Sequence, residues 1–245
     1  MNMPPHTKTE TADGSIQTRV FGKTYMHIKS VDGGGSLDAP VYAVNWFNTR
    51  MMWLYNFYNT VATRSVTAVG GTPFLKGRIT KTIHGETSDR RDALLIVNYP
   101  SPSAFKSMLE SRYFMAVSVL RMLAVGNFTF GFTHRTDRAA AREDYQSGGY
   151  YAVHHYTGAS DVSATAAALA ADYNAEVHFS GRISSLVYTG DETEARDQVP
   201  CLMDGILVLR ATAEKDLEDM LGSARYEAVV AETRSSFTGL FDRIF

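Results

Sequence analysis

Between Val41 and Phe47 apolar and aromatic residues follow one another almost without a break, which predicts a short strand. Met51, Leu54, Tyr55, Tyr58, Ala62 and Val66 then recur at helical spacing as far as Gly70-Gly71, which close the helix. Phe74 to His84 reads as a second strand with Ile79 and Ile83 on one face. After a polar turn from Gly85 to Arg91, Asp92 to Tyr99 reads as a third, nearly continuous in apolar residues. Ser101 offers a side-chain oxygen to cap a helix, and Pro102 suits its first position, where the missing N–H would have gone unpaired anyway. Phe105, Met108, Leu109, Tyr113, Ala116, Val117 and Leu120 give that helix its buried stripe. Phe128, Phe130 and Phe132 alternate, so the stretch closes on a strand with one buried face. The order is βαββαβ.

The same order then returns. Leu94-Leu95-Ile96-Val97 has a counterpart in Ile206-Leu207-Val208-Leu209, and Met108-Leu109 with Ser111 corresponds to Met220-Leu221 with Ser223, an offset of 112 positions. One inserted residue later the offset is 113 and holds for Tyr113 with Tyr226, Arg121 with Arg234 and Gly126 with Gly239. Gly77-Arg78-Ile79 matches Gly181-Arg182-Ile183, and Tyr42-Ala43-Val44 matches Tyr151-Ala152-Val153. The matched pieces keep their order, so the chain reads as a tandem duplication. Residues 1–39 form an N-terminal extension in which Val20 to Ser30 suits a strand. Residues 40–134 form the first domain, 135–149 a charged, glycine-containing linker, and 150–245 the second domain. The second copy is expected to place helices at Val162–Tyr173 and Ala213–Thr233 and a short closing strand from about Leu240 to Phe245.

Charge narrows the range of partners. Twenty-four basic and 26 acidic residues are scattered without a dominant block, which argues against a nucleic-acid or anionic-membrane partner. The polar N-terminus lacks the pattern of a secretory signal, and no apolar run is long enough to span a bilayer; a cytoplasmic protein is the expectation. Cys201, the single thiol, can make no internal disulfide and no cysteine metal cluster.

Gly70-Gly71, the strand-to-helix join Val97-Asn98-Tyr99-Pro100-Ser101, Ser111 with Tyr113, and Arg121, together with Ser223, Tyr226 and Arg234, give the chain its likeness to a known group. It resembles the dimeric α/β-barrel superfamily, and within it a small family of uncharacterised function. The likeness covers about 200 residues, although the second copy lacks an equivalent of Gly70-Gly71 and carries Thr212 where Pro100 stands. The resemblance implies an α+β fold: two tandem ferredoxin-like βαββαβ domains whose antiparallel sheets pack face to face as an α/β barrel around a cavity. Relatives there include cofactor-independent monooxygenases, isomerases, lactone-forming enzymes and haem proteins, so the fold does not fix the chemistry.

Strand alternation predicts a lining for such a cavity. With Ile79 and Ile83 under the helices, Arg78, Thr80, Thr82 and His84 face inward; with Ile183 and Val187 under them, Arg182, Ser184 and Tyr188 do so. Asn45 aligns with His154, and Asn98 with Arg210. His84 and His154 are the candidate catalytic residues, since imidazole exchanges a proton cheaply near neutral pH. Asn45, Arg78, Asn98, Arg182, Tyr188 and Arg210 are candidates to bind substrate, arginine holding an anion through paired N–H donors. Adjacent strand residues point to opposite faces, so His154-His155 does not make a metal pair. No phosphate-cradling loop is present, and Gly33-Gly34-Gly35 lacks the following Lys-Ser/Thr. A haem site needs a helix-borne histidine in the second copy, and only His178 lies near a helix. The expectation is a small-molecule enzyme without metal or tightly bound cofactor. A cavity histidine moves a proton during isomerisation, cyclisation or oxygenation of an organic substrate. The alternative is a noncatalytic ligand-binding or assembly module, with homo-oligomers compatible with both.

Overall fold

A computed structural model describes residues 7–10, 16–20, 23–30, 39–85, 90–136, 148–158, 162–189 and 204–244; at 7–30, 127, 184–189 and 235 it describes the backbone alone. Three short strands, β1 (Thr7–Glu10), β2 (Ile16–Val20) and β3 (Lys23–Ser30), precede the first βαββαβ stretch, so the strand suggested before Ser30 is present. That stretch comprises β4 (Val41–Thr49), α1 (Met52–Ala68), β5 (Thr72–His84), β6 (Ala93–Tyr99), α2 (Pro102–Glu110), α3 (Arg112–Ala124) and β7 (Val125–Arg135). The second runs through β8 (Tyr150–Thr157), α4 (Ser163–Ala171), β9 (Ala175–Thr189), β10 (Gly205–Ala211), α5 (Glu214–Leu221), α6 (Ala224–Ala231) and β11 (Ser235–Arg243). Every strand pair with a resolved register is antiparallel. Most of the expected linker, residues 137–147, lies outside the described residues, as does Cys201.

Each long helix expected after β6 and β10 is broken in two. Ser111 adopts extended backbone, and its hydroxyl accepts from the Phe114 N–H at 3.1 Å, starting α3 afresh. Ser223 does the same for α6 through the Tyr226 N–H at 3.2 Å. A serine at an N-cap satisfies a donor that a continuing helix would not need satisfied, which explains why these two serines recur. Ser101 caps α2 as expected, its hydroxyl accepting from the Ala104 N–H at 3.1 Å. At the end of α1, Gly70 has φ +77°, and the amides of Gly70 and Gly71 return to Thr67 and Val66 at 3.0 and 2.9 Å.

Contacts divide the chain into two compact units. The first holds residues 1–74, 91–132 and 184–199; the second holds 75–90, 133–183 and 200–245. In the first, β4 pairs with β6, and α1, α2 and α3 cover one face through a core that includes Val41, Phe47, Tyr55, Tyr99, Met108 and Phe114. Val44, Trp46, Leu94 and Ile96 alternate with that set and are also fully buried. In the second unit the strand order is β9-β10-β8-β11-β5. Thus β5, from the first βαββαβ stretch, continues the sheet past β11. Helices α4, α5 and α6 cover one face through Leu169, Leu207, Leu209, Leu217, Met220, Leu221 and Tyr226. Val153, Phe179, Ile206, Val208, Phe237 and Phe241 lie on the other and are buried too. The closing strand β11 is longer than expected because it pairs on both sides, with β8 and β5.

Candidate functional site

Three register shifts decide which way the side chains of the second unit point. Along β11 and β5, Thr238 lies opposite His84, Gly239 opposite Thr82, Leu240 opposite Lys81 and Phe241 opposite Ile79. One step on β11 twice meets two steps on β5. Such bulges invert the alternation downstream. Leu240 belongs to the core beneath the helices, so Lys81 and His84 share its side, whereas Thr82 and Ile79 lie away from the helices. A third shift falls between Val208 and Leu209, which pair with Phe179 and Val177, leaving His178 as the extra residue of β9.

The expected lining is therefore rearranged. His84 is half-buried on the helix side, where its Nε2 donates to the Leu221 carbonyl at 2.9 Å and its ring stacks on Tyr226 at 5.7 Å. His154 is fully buried on the same side. Its Nδ1 shares a hydrogen bond with the Thr238 hydroxyl at 2.8 Å, Tyr226 reaches that hydroxyl at 3.3 Å, and His154 Nε2 has no hydrogen-bond partner among the described residues. Burial above all, then the neighbouring His84, pushes His154 down to about 3. The two histidines are brought together, around Tyr226, but beneath the helices rather than on the opposite face. His155 sits across from Phe237 on that opposite face, so the two adjacent imidazoles point apart. Among the described residues no group of three or more His, Cys, Asp or Glu side chains is placed to hold a metal ion.

The remaining candidates separate. Arg78, opposite Asp242, and Arg182, opposite Gly205, are exposed on the helix side, while Ile79 and Ile183 take the buried positions on the other. Both faces of this sheet are buried, so an isoleucine satisfies either and cannot tell the phase of the strand. In the first unit Asn45 lies on the helix side with Ala43 and Phe47, its Nδ2 donating to the carbonyls of Ala43 and Leu95 at 3.1 and 3.0 Å. Asn98 alternates to the opposite face, and its Oδ1 is buried without a partner among the described residues. The side chain of Tyr188 lies outside the described residues. Among the candidates whose side chains are described, Arg210 alone joins a polar cluster on the face away from the helices, where its Nη1 donates to Glu176 at 2.9 Å and its Nη2 to the Gly148 carbonyl at 3.1 Å.

That cluster centres on a histidine the alternation did not single out. His178 is half-buried on the strand, not on a helix, with its ring edge-on to Tyr151 at 5.5 Å. Tyr151 is 2 % exposed, and its phenolic oxygen accepts from Arg243 Nη1 at 2.8 Å, so the phenol keeps its own proton for donation. Arg135 Nη2 donates to the His178 carbonyl at 3.3 Å, and its guanidinium lies over Phe179. Burial first, then Arg243, Arg210 and Arg135, push His178 down to about 4, with Glu176 opposing. The imidazole is thus neutral at neutral pH, among three guanidinium groups and one carboxylate. Such a set can hold an organic anion by charge-assisted hydrogen bonds and offers it a proton acceptor.

Comparison with known proteins supports the fold. No family model and no curated protein matches the chain. Among solved structures, an anthrone oxidase-like protein superposes with a TM-score of 0.51 at 10% identity, over 89% of this chain and 94% of that one. A mutant chlorite dismutase from Candidatus Nitrospira defluvii gives a TM-score of 0.43 at 13% identity, over 84% and 92%. The RPA0582 protein of unknown function from Rhodopseudomonas palustris gives 0.37 at 19% identity, over 39% of this chain and 81% of that one. The first of these likenesses, with the antiparallel strands and the twice-repeated βαββαβ order, establishes an α+β fold of the α/β-barrel type. Among the described residues no helix is long and apolar enough to cross a membrane.

Proposed function

We propose that the chain is a tandem duplicate of a ferredoxin-like domain. We further propose that its second unit is a small-molecule enzyme in which His178, rather than His84 or His154, moves a proton. The observation that carries this reading is the neutral imidazole set among Arg135, Arg210 and Arg243 beside the Tyr151 hydroxyl, on the sheet face away from the helices. An organic acid enters as its anion, and the guanidinium groups take up its charge. His178 then accepts a proton from an acidic C–H or O–H of the substrate and becomes imidazolium. The electron pair left behind delocalises onto a substrate oxygen, where Arg243 and the Tyr151 O–H stabilise it. Return of the proton to another atom of the substrate completes an isomerisation or cyclisation with no net change in the protein.

The low starting basicity fits this scheme. Burial first, and then three cations, hold the free imidazole at about 4; a bound anion cancels much of the cations' share, so the base strengthens when substrate arrives. The acid limb of kcat/KM, which reports the empty enzyme, is expected near pH 4, and that of kcat at a higher pH. The test is proton exchange in deuterated water on a panel of β-keto acids and hydroxyaromatic carboxylates, followed by NMR. Exchange should be accelerated for members of the panel, abolished by His178→Asn and retained in His84→Gln. Exchange that survives His178→Asn refutes the assignment. Thermal stabilisation by a panel compound with no exchange on any of them replaces the enzyme with a binding module.

A further inference from the structure

The first unit carries an apolar surface that its described residues leave exposed. Helices α1 and α3 pack side by side, and the Arg50 and Met51 amides both reach the Ala124 carbonyl, at 2.8 and 3.1 Å. The start of α1 therefore lies against the end of α3. Met51, Met52 and Trp53 at the start of α1 and Met122 and Leu123 at the end of α3 are exposed at this end of the pair, and Phe57 and Val119 lie one turn along each helix. Tyr113, whose hydroxyl donates to the Val61 carbonyl at 3.0 Å, closes the far end of the row. Trp53 is 70% exposed, Phe57 and Leu123 are each 54%, and the other five lie between 36% and 47%. Helix α1 offers such residues only at Trp53, Phe57 and their methionine neighbours; its opposite side, Leu54, Tyr55, Tyr58 and Ala62, is already spent on the core.

Two features identify what covers this patch. Its centre is uncharged: Asn56, Thr60 and Ala116 are the exposed residues among the apolar ones, and neither helix carries an Asp or Glu. Arg64 is turned over the Tyr113 ring at 5.8 Å. Depletion of charge at the centre is the pattern of a protein interface rather than of a solvated helix pair. The second feature is size. With roughly 150–250 Å² for each large side chain, the eight expose on the order of 700 Å², close to the roughly 800 Å² each partner contributes to a standard interface and beyond what an isolated monomer usually leaves open. The described helices of the second unit show nothing similar, since among its described residues the large apolar side chains that are exposed are Tyr150 and Ile244, on or beside strands.

We infer that the α1–α3 face binds a second copy of this chain across a two-fold axis. Among the described residues this is the one such patch, and a single self-matching surface closes a dimer and cannot propagate a filament. An antiparallel helix pair is suited to this, because a two-fold axis between its helices lays the row of one copy over the same row of the other. The dimer does not depend on the chemistry assigned to the second unit.

Light scattering coupled to size exclusion, and sedimentation velocity over a concentration series, test the inference on the full chain. The wild type is expected at twice the chain mass. Trp53→Glu and, separately, Leu123→Lys are expected to halve the mass while leaving the circular dichroism spectrum unchanged, and Ala228→Glu on α6 is expected to leave the dimer intact. A wild type that is monomeric at every concentration overturns the proposal. So does a dimer that survives both substitutions, or one that Ala228→Glu also splits. Co-flotation of monomeric wild type with anionic vesicles would assign the face to a lipid surface and overturn it as well.

Discussion

Lowering the pH should unfold this protein through a particular buried imidazole. His154 has no exposed surface, and its pKa is brought from 6.5 to about 3 by burial and by His84. Between those two values the unfolded chain binds a proton that the folded one refuses, so stability is complete above pH 6.5, falls as the pH drops through the window, and stops falling below about 3. From about pH 7 to about pH 5 the loss amounts to ~2 kcal/mol, and across the whole window to ~5 kcal/mol, a large share of an ordinary domain's stability. Complete burial leaves no solvent screening to discount. The assay is urea unfolding at a series of pH values, followed by far-ultraviolet circular dichroism, for the wild type and His154→Gln. The substitution costs stability at pH 7, but its slope between pH 7 and pH 5 should be shallower than the wild type's by ~1 kcal/mol per pH unit. His178 contributes in the same direction in both proteins and cancels in the comparison. Parallel stability curves for the two proteins would refute the reasoning, because a His154 that titrated alike in both states would contribute no slope.

Other substitutions probe the local arguments. Removing the cap oxygen by Ser111→Ala or Ser223→Ala should each lower stability by ~1 kcal/mol, read as a fall in the denaturation midpoint. Gly71→Ala should cost ~1–3 kcal/mol by the same measurement, because a Cβ there would stand 2.8 Å from both the Tyr99 ring and Val66. Lys81→Ala breaks an exposed ion pair with Glu218 and should leave the thermal midpoint unchanged within error.

The strands and most helix boundaries were legible because periodicity and punctuation report local geometry. Pro102 after Ser101 marks a helix start, and Gly70-Gly71 a stop. The breaks at Ser111 and Ser223 were legible in principle: a serine repeated at equivalent places inside one long apolar stripe is a cap signal, masked by the stripe running on through both helices. The direction of the side chains was not. Alternation fixes facing only relative to a chosen residue, and Ile79 and Ile183, expected under the helices, lie on the other buried face. The bulges that turn His84 toward the helices and leave His178 as an extra residue depend on pairing with strands far away in sequence, β11 and β10. His178 had a signal of a kind, since Glu176 and Arg210 lie on neighbouring strands and Arg135 and Arg243 end two others. Only the fold brings the four around it.

The central claim is that His178 is a neutral base, held down by burial and then by its arginine neighbours. NMR titration of its imidazole in the wild type and in Arg243→Gln tests it most directly. The wild type should titrate near pH 4, and neutralising Arg243 should move the midpoint upward, since the second-largest cause of the depression is removed. A midpoint at the ordinary 6.5, unmoved by the loss of Arg243, would contradict the account.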